Sequence, residues 1–302
     1  MTAGLVRIGT RGSALALVQA GLAAAALERA GHESELVIVE TAGDRRAPDT
    51  AWGEGAFVKA IELALLAGRV DLAVHSAKDV PTDEDPRLVI GAYLERADAR
   101  DALVTDVGFA ASLANLPPGS RVGTDSPRRT GFVLAARPDL RVRPLHGNVD
   151  TRLRRLDAGE TDALILASAG LDRLGYGGRI TERLDTSLVP PAPGQGALAL
   201  QVRADDTSLL AATARIDHRP TRVAVGCERA FLRASGGGCR SPIGAFAEVA
   251  GDRLSLLGGH VRPDGTEAAV ARASGTVTEA GTIAIALSQR FVTDGLPSGA
   301  TR

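Results

Sequence analysis

Asp79 beside Lys78, directly after an apolar run, is the first arrangement in this 302-residue sequence that could do chemistry. In HSAKDVPTD the stretch ending at Ser76 is apolar enough to be a buried strand, and strand ends in open α/β sheets are where ligands bind. Adjacent opposite charges most often form a simple surface ion pair. In a partly closed cleft the same carboxylate could instead stabilise a cationic intermediate and exchange protons with a leaving amine; sequence position does not choose between the two. The second arrangement is ERAFLRASGGGCRSPIG. Three glycines before Cys239 give a mobile backbone with little steric cover, and Arg240 favours the thiolate, so an accessible, nucleophilic thiol is expected beside the plainer reading of a turn cysteine. Cys227 has apolar neighbours at helical spacing in VAVGCERAFL and reads as core. A thiol hydrolase would need a histidine partner, and neither His218 nor His260 sits in a context that marks it as one.

The third arrangement is arginine where helices begin. A helix N-terminus presents free N–H groups and partial positive charge, so cations are misplaced there. The sequence puts them at three such junctions: Arg11 in GTRGS, Arg128 and Arg129 in GTDSPRR, and Arg152, Arg154 and Arg155 in HGNVDTRLRRL. In GTDSPRR, Ser126 reads as N-cap and Pro127 as the first helical residue, which places both arginines in the first turn. A bound anion would turn that repulsion into a binding site. The alternative is that these side chains reach solvent or pair with surface acids such as Asp150 and Asp157. Three junctions in one chain favour a polyanion cleft.

Composition bounds the rest. Basic and acidic residues number 35 and 36, so no overall field attracts nucleic acid or an anionic membrane, and any anion site must be local. No apolar run reaches the roughly 20 residues of a spanning helix, and the N-terminus lacks a signal-peptide pattern, so a cytoplasmic protein is expected. The two cysteines are too far apart for a redox pair, and no Cys/His cluster has zinc spacing. Lys59 and Lys78 are the two lysines, which leaves 33 arginines; forked cations suit a polyanionic ligand, although a GC-rich genome gives the same bias.

The elements that must position these residues follow from periodicity. LVRIG, ELVIVE, VDLAVHS and LVIGAYL read as strands, with helices over 13–30 and 56–67, the order of βαβ units around a mainly parallel sheet. A second series has DALVT, SRVGT, LRVRPL and DALILA as strands, with helices beginning near Pro127, Thr151 and Ala169. LVPPAPGQG is a Pro/Gly-rich crossing into ALALQVR (197–203), a strand returning to the first lobe. A helix over 221–234, three strands divided by turns and a last helix over 278–292 read as a small antiparallel α+β domain.

With these segments in view, the sequence resembles the porphobilinogen deaminase (hydroxymethylbilane synthase) family along nearly its whole length. The resemblance is carried in order by RIGTRGSALAL, GAFVKAIE, AVHSAKDVPT, ADARDALV, VGTDSPRR, HGNVDTRL, DALILASAGLDRLG, PAPGQGAL, ERAFL and GGGCRSPIG. It implies an α/β fold of two periplasmic-binding-protein-like lobes plus a small C-terminal domain, with residues 1–97 and 196–217 in the first lobe, 98–195 in the second and 218–302 in the domain that carries the cysteine loop. It implies a transferase of porphyrin, tetrapyrrole and heme biosynthesis that condenses four porphobilinogen molecules into hydroxymethylbilane with release of ammonia.

By the same resemblance, Cys239 would hold a dipyrromethane cofactor through a thioether, and Asp79 would be the catalytic carboxylate. Ser13, Lys78, Thr124, Ser126, Arg128, Arg129 and His146 would contact the cofactor. Arg11, Ser76, Arg152, Arg173, Gln195 and Phe57 would line the substrate side. Each pyrrole brings an acetate and a propionate, so a growing chain needs many forked cations. The expected partner is porphobilinogen, with no nucleic acid and no membrane, and a monomer is expected. Three features depart from the family pattern: His146 where arginine is common, Asp125 within the GTDS turn, and a loop over 42–56 with Glu54 and without lysine. A two-lobed anion-binding protein, or a relative that has lost turnover, is the alternative.

Overall fold

The computed structural model describes residues 5–40, 58–106, 108–109, 111–238 and 240–293. In chain order the elements are β1 (Val6–Thr10), α1 (Ala14–Arg29), β2 (Ser34–Ile38), α2 (Lys59–Leu66), β3 (Leu72–Ser76), β4 (Leu88–Tyr93), β5 (Asp101–Thr105), β6 (Arg121–Gly123), α3 (Pro127–Ala136), β7 (Arg141–Arg143), α4 (Val149–Asp157), β8 (Ala163–Ala167), α5 (Ser168–Arg173) and β9 (Glu182–Arg183). They continue with β10 (Leu198–Arg203), α6 (Thr207–Ala214), α7 (Arg219–Ala234), β11 (Ile243–Ala250), β12 (Arg253–His260), β13 (Ala269–Thr276) and α8 (Ala280–Thr293). The chain divides into two compact units, Met1–Ala97 with Ala197–Arg222, and Asp98–Gly196 with Val223–Arg302.

The first unit is built on a sheet of order β2-β1-β3-β10-β4. β1 runs parallel to β2 and β3, the pairings that the βαβ order requires, whereas β10 is antiparallel to both β3 and β4. The sheet is therefore mixed, because β10 re-enters from a distant part of the sequence instead of through a local crossover helix. Ser13 accepts from Ala16 N and starts α1, and Gly31, at φ 87°, ends it with His32 N donating to Leu27 O. The small face of α1, Ala20, Ala23 and Leu27, lies on Ile8, Leu72 and Leu200. Here the alanines let helix and sheet approach closely.

Beneath the end of β3 runs a buried polar chain. His75 Nε2 lies 3.2 Å from Gln201 Oε1, and Gln201 Nε2 donates to Glu62 Oε1 at 3.2 Å. A neutral imidazole donating from Nε2 satisfies both bonds. Burial pushes His75 down to about 4, opposed by its bond to Gln201. With the folded value below the unfolded one, this site contributes stability above pH ~6.5 that is lost as pH falls toward about 4, on the order of 3 kcal/mol in full. Urea unfolding between pH 4 and 7 should therefore show His75→Gln losing less stability on acidification than the unsubstituted protein. Parallel losses would contradict a neutral buried imidazole.

The second unit holds two sheets. The first, of order β7-β6-β8-β5-β9, repeats the pattern of the first unit, with β6 parallel to β7 and β8, and β5 antiparallel to β8 and β9. The second, β11-β12-β13, is antiparallel throughout and packs with α7 and α8 around Phe231, Leu256, Leu287 and Phe291. Within this unit the two sheets are closely joined: Ala245 N donates to Pro191 O at 2.8 Å, and a Cβ on Gly131 of α3 would stand 2.6 Å from Arg262 O. Glu228 of α7, fully buried, accepts from Gly194 N at 2.6 Å and Ala247 N at 2.7 Å. Cys227 is 1% exposed, and burial with the neighbouring Glu228 charge pushes its thiol up to about 12, as its core reading requires.

One expected helix start is corrected. α4 begins at Val149 with N-cap Asn148, two residues earlier than Thr151, because Gly147 at φ 112° lets the chain turn before it. Arg154 and Arg155 consequently occupy the last turn, where cations are favoured, and Arg155 Nε bonds Glu160 at 2.8 Å. Those two arginines are not misplaced; Arg152, one turn nearer the start, is the one that faces other cations.

Candidate active site

In the first unit, the C-terminal ends of the parallel strands β1 and β3 form one edge. Arg11 follows β1, and Ser13 stands at the head of α1. Ser76 ends β3 and leads into a single 3-10 turn, Ala77–Asp79, which carries Lys78 and Asp79. Ser76 Oγ is held by Gln19 of α1, with Gln19 Nε2 donating at 3.1 Å, so strand end and helix are locked together. Arg11, Ser13, Ser76, Lys78 and Asp79 thus share one sheet edge, as strand-end chemistry requires.

In the second unit the equivalent edge is formed by β6 and β8. Beyond β6, buried Thr124 bonds its backbone N to Arg143 O, and Ser126 caps α3 by accepting from Arg129 N. Pro127 occupies the first turn of α3, and the Arg128 and Arg129 that follow it are buried. Both meet Asp101, the first residue of β5. Arg128 Nη1 reaches Asp101 Oδ2 at 2.7 Å and Pro190 O at 2.5 Å. Arg129 bonds Asp101 Oδ1 through Nε at 3.0 Å and Nη2 at 2.8 Å, and donates from Nη1 to Ile165 O. Gln195 donates to the same Asp101 oxygen at 2.8 Å and to Ala99 O at 2.7 Å.

Burial alone would raise the Asp101 carboxyl, but the two guanidiniums hold it well below the usual range. The cluster keeps a net positive charge. Arg129 is largely consumed by these bonds, whereas among the described residues nothing hydrogen-bonds Nε or Nη2 of Arg128. Burial and the Arg129 charge lower Arg128 in spite of Asp101. Removing one member of such a buried group leaves the others uncompensated, so Asp101→Asn should cost about 3–5 kcal/mol in urea unfolding. A loss below about 1 kcal/mol would show that the arginines re-pair elsewhere.

Around this cluster lie further cations. Arg152 donates from Nε to Gly147 O at 2.8 Å; burial first, and Arg129 second, pull it down to about 10, against the opposing pull of Asp125. Arg173 of α5 donates to Gly196 O at 2.7 Å and is lowered by burial. His146 Nδ1 lies 3.0 Å from Asp125 Oδ1, at ion-pair distance but without hydrogen-bond alignment. Buried Ser168 Oγ, at the start of α5 just after β8, has no hydrogen-bond partner among the described residues. Excess buried cation, the open edge of Arg128 and an unsatisfied hydroxyl on one sheet edge suit a ligand rich in carboxylates.

Two expected site residues, Cys239 and Phe57, lie outside the described residues, as does Glu54. One important residue was not singled out in the sequence: Asp101 reads there only as the start of the strand DALVT. The available signal was an acid opening a mostly apolar strand, in the motif that directly precedes the one with the paired arginines. Among the described residues no group of His, Cys, Asp and Glu could hold a metal ion, and no helix is long and apolar enough to cross a membrane.

Residues 6–211 match the family model described as "Porphobilinogen deaminase, dipyromethane cofactor binding domain", and residues 223–292 match "Porphobilinogen deaminase, C-terminal domain". The chain belongs to the porphobilinogen deaminase family. It is 48% identical over 284 residues to the porphobilinogen deaminase of Mycolicibacterium paratuberculosis, covering 91% of this chain and 89% of that one. With the Mycobacteroides abscessus porphobilinogen deaminase it shares 46% over 298 residues, 95% and 97% of the two chains. Among solved structures it is similar to the second substrate-binding domain of a putative amino acid ABC transporter from Streptococcus pneumoniae, at TM-score 0.46 and 16% identity, covering 77% of this chain and 95% of that one. Family membership makes the chain a transferase of tetrapyrrole biosynthesis that acts on a porphobilinogen-type small molecule and uses a dipyrromethane-type cofactor. The cation-rich edge of the second unit fits such a group.

Proposed function

We propose that this chain condenses four porphobilinogen molecules head to tail into hydroxymethylbilane, with the dipyrromethane cofactor held covalently by Cys239 and with Asp79 as the catalytic carboxylate. The observation that carries the reading is the surplus of buried guanidinium over carboxylate at the strand ends of the second unit, above all Arg152, pulled down to about 10 by burial and Arg129. A ligand bearing an acetate and a propionate on every ring supplies the missing negative charge at each step of elongation. Ser13, Lys78, Thr124, Ser126, Arg128, Arg129 and His146 hold the cofactor's carboxylates. Arg11, Ser76, Arg152, Arg173, Gln195 and Phe57 serve the incoming and growing chain. Gln195 acts on the substrate side through its bond to Asp101, which Arg128 and Arg129 also engage.

The bound cofactor supplies a primer with a free pyrrole carbon for the first condensation. The protein's own part is to fix carboxylates, keep the reacting nitrogen next to Asp79 and provide a site for the proton that leaves with each new carbon–carbon bond. Asp79, carried on a tight turn after a buried strand, keeps a defined place relative to that strand, and its negative charge opposes the cation that develops as the amine departs. The chain acts as a cytoplasmic monomer without nucleic-acid or membrane partners. Purified protein given porphobilinogen should release four ammonia molecules for each linear tetrapyrrole formed. Saturable binding without ammonia would instead identify a two-lobed anion binder on the same fold.

A further inference from the structure

Asp125 looks unsuited to its place, since it puts a negative charge on the turn that precedes a cation-bearing helix. The structure gives that charge two partners from two other segments. Its Oδ1 lies 3.0 Å from His146 Nδ1, which precedes α4, and its Oδ2 lies 3.7 Å from Arg240 Nη1, the residue that follows Cys239 in sequence. Asp125 is mostly shielded, its side chain 15% exposed, so these partners act with less solvent screening than a fully exposed pair. A carboxylate beside the start of α3 is further favoured by the helix dipole.

The segment that presents Arg240 is itself anchored. Gly238 N donates to Ser241 Oγ at 2.8 Å, and Ser241 N donates back to Gly238 O at 3.0 Å, which ties together the chain on either side of residues 239 and 240. At its base, Gly237 N closes the end of α7 on Leu232 O. Ser235 Oγ lies 3.0 Å from Ser288 Oγ and 3.2 Å from His260 Nε2, whose ring stacks on Phe291. Arg240 therefore reaches Asp125 from a fixed base.

We propose that Asp125 is a positioning residue for cofactor attachment: its carboxylate holds Arg240, the residue that follows Cys239 in sequence, at the start of α3 where the cofactor's carboxylates are held. The inference rests on Cys239 as the attachment point. Asp125 thereby joins thioether formation to the anion site, and its own charge is offset by Arg240.

The test uses full-length protein produced without cofactor and given porphobilinogen. Intact mass follows the gain of two pyrrole units, and iodoacetamide alkylation reports the Cys239 thiol, with buried Cys227 as the unreactive internal standard. Asp125→Asn and Arg240→Gln should each slow the mass gain by about 3–10-fold, the double variant should be no slower than the worse single one, and Arg240→Lys should keep most of the rate. Independent, multiplying effects of the two substitutions, or an Asp125→Asn variant that loads at the unsubstituted rate, would overturn the proposal. Mass gain by Cys239→Ser would overturn the attachment reading instead, so the two failures are distinguishable.

Discussion

Asp79→Asn, assayed on protein already carrying its cofactor, is expected to turn over porphobilinogen about 100- to 10,000-fold more slowly, the range for removing a positioned proton-transfer group. Asparagine keeps the size and one hydrogen-bonding oxygen but loses the charge and the basic site. Ammonia leaves as a cationic carbon develops, and a fixed carboxylate stabilises that charge most where water is scarce. Asp79 sits on the turn after β3 and not within the strand ladder, so unfolding stability should change less than turnover. Asp79→Glu should recover part of the rate. Turnover within threefold of the unsubstituted enzyme would assign the carboxylate a structural part only.

Cys239→Ser is expected to lose turnover to background. A serine hydroxyl is a far poorer nucleophile near neutrality than a thiol, which is already a few per cent thiolate, so the primer would not be anchored. Cys227 cannot substitute for it: the side chain is 1% exposed, burial pushes its thiol up to about 12, and its hydrogen is given to Ala280 O at 3.3 Å. Arg240→Lys should keep activity, since a neighbouring cation is retained. Full turnover by Cys239→Ser would require the growing chain to be held by carboxylate contacts alone.

Much of the fold was legible because local signals agreed. Ser13, Ser126 and Pro127 mark helix starts that the backbone uses, β8 is the uninterrupted apolar run that a buried strand needs, and β3 and β10 are mostly apolar runs broken by His75 and Gln201. What could not be read was long-range. The direction of β5 and β10 against their neighbours depends on sheet assembly and leaves no mark in residue type, so each mainly parallel sheet contains one reversed strand that the sequence did not reveal. The start of α4 moved because Gly147 and Asn148 end the preceding turn two residues sooner than the arginine pattern suggests.

The site divides in the same way. Strand-end residues such as Ser76 and Arg11 were legible from position, because an α/β fold dictates where strands end. The destination of Arg128 and Arg129 was not. Charge pattern showed that the cations were costly at a helix start and suggested solvent, surface acids or a ligand as relief. The structure adds a fourth answer, a fully buried acid from another strand, Asp101, which takes all of one demand and part of the other. The remaining positive charge is what a carboxylated ligand would meet.

The central claim is that one sulfur anchors a primer of two condensed pyrroles. Intact mass of purified protein measures it directly: the chain mass plus two pyrrole units is expected for the unsubstituted protein, and the bare chain mass for Cys239→Ser. A turning-over protein whose mass is that of the polypeptide alone would contradict the account.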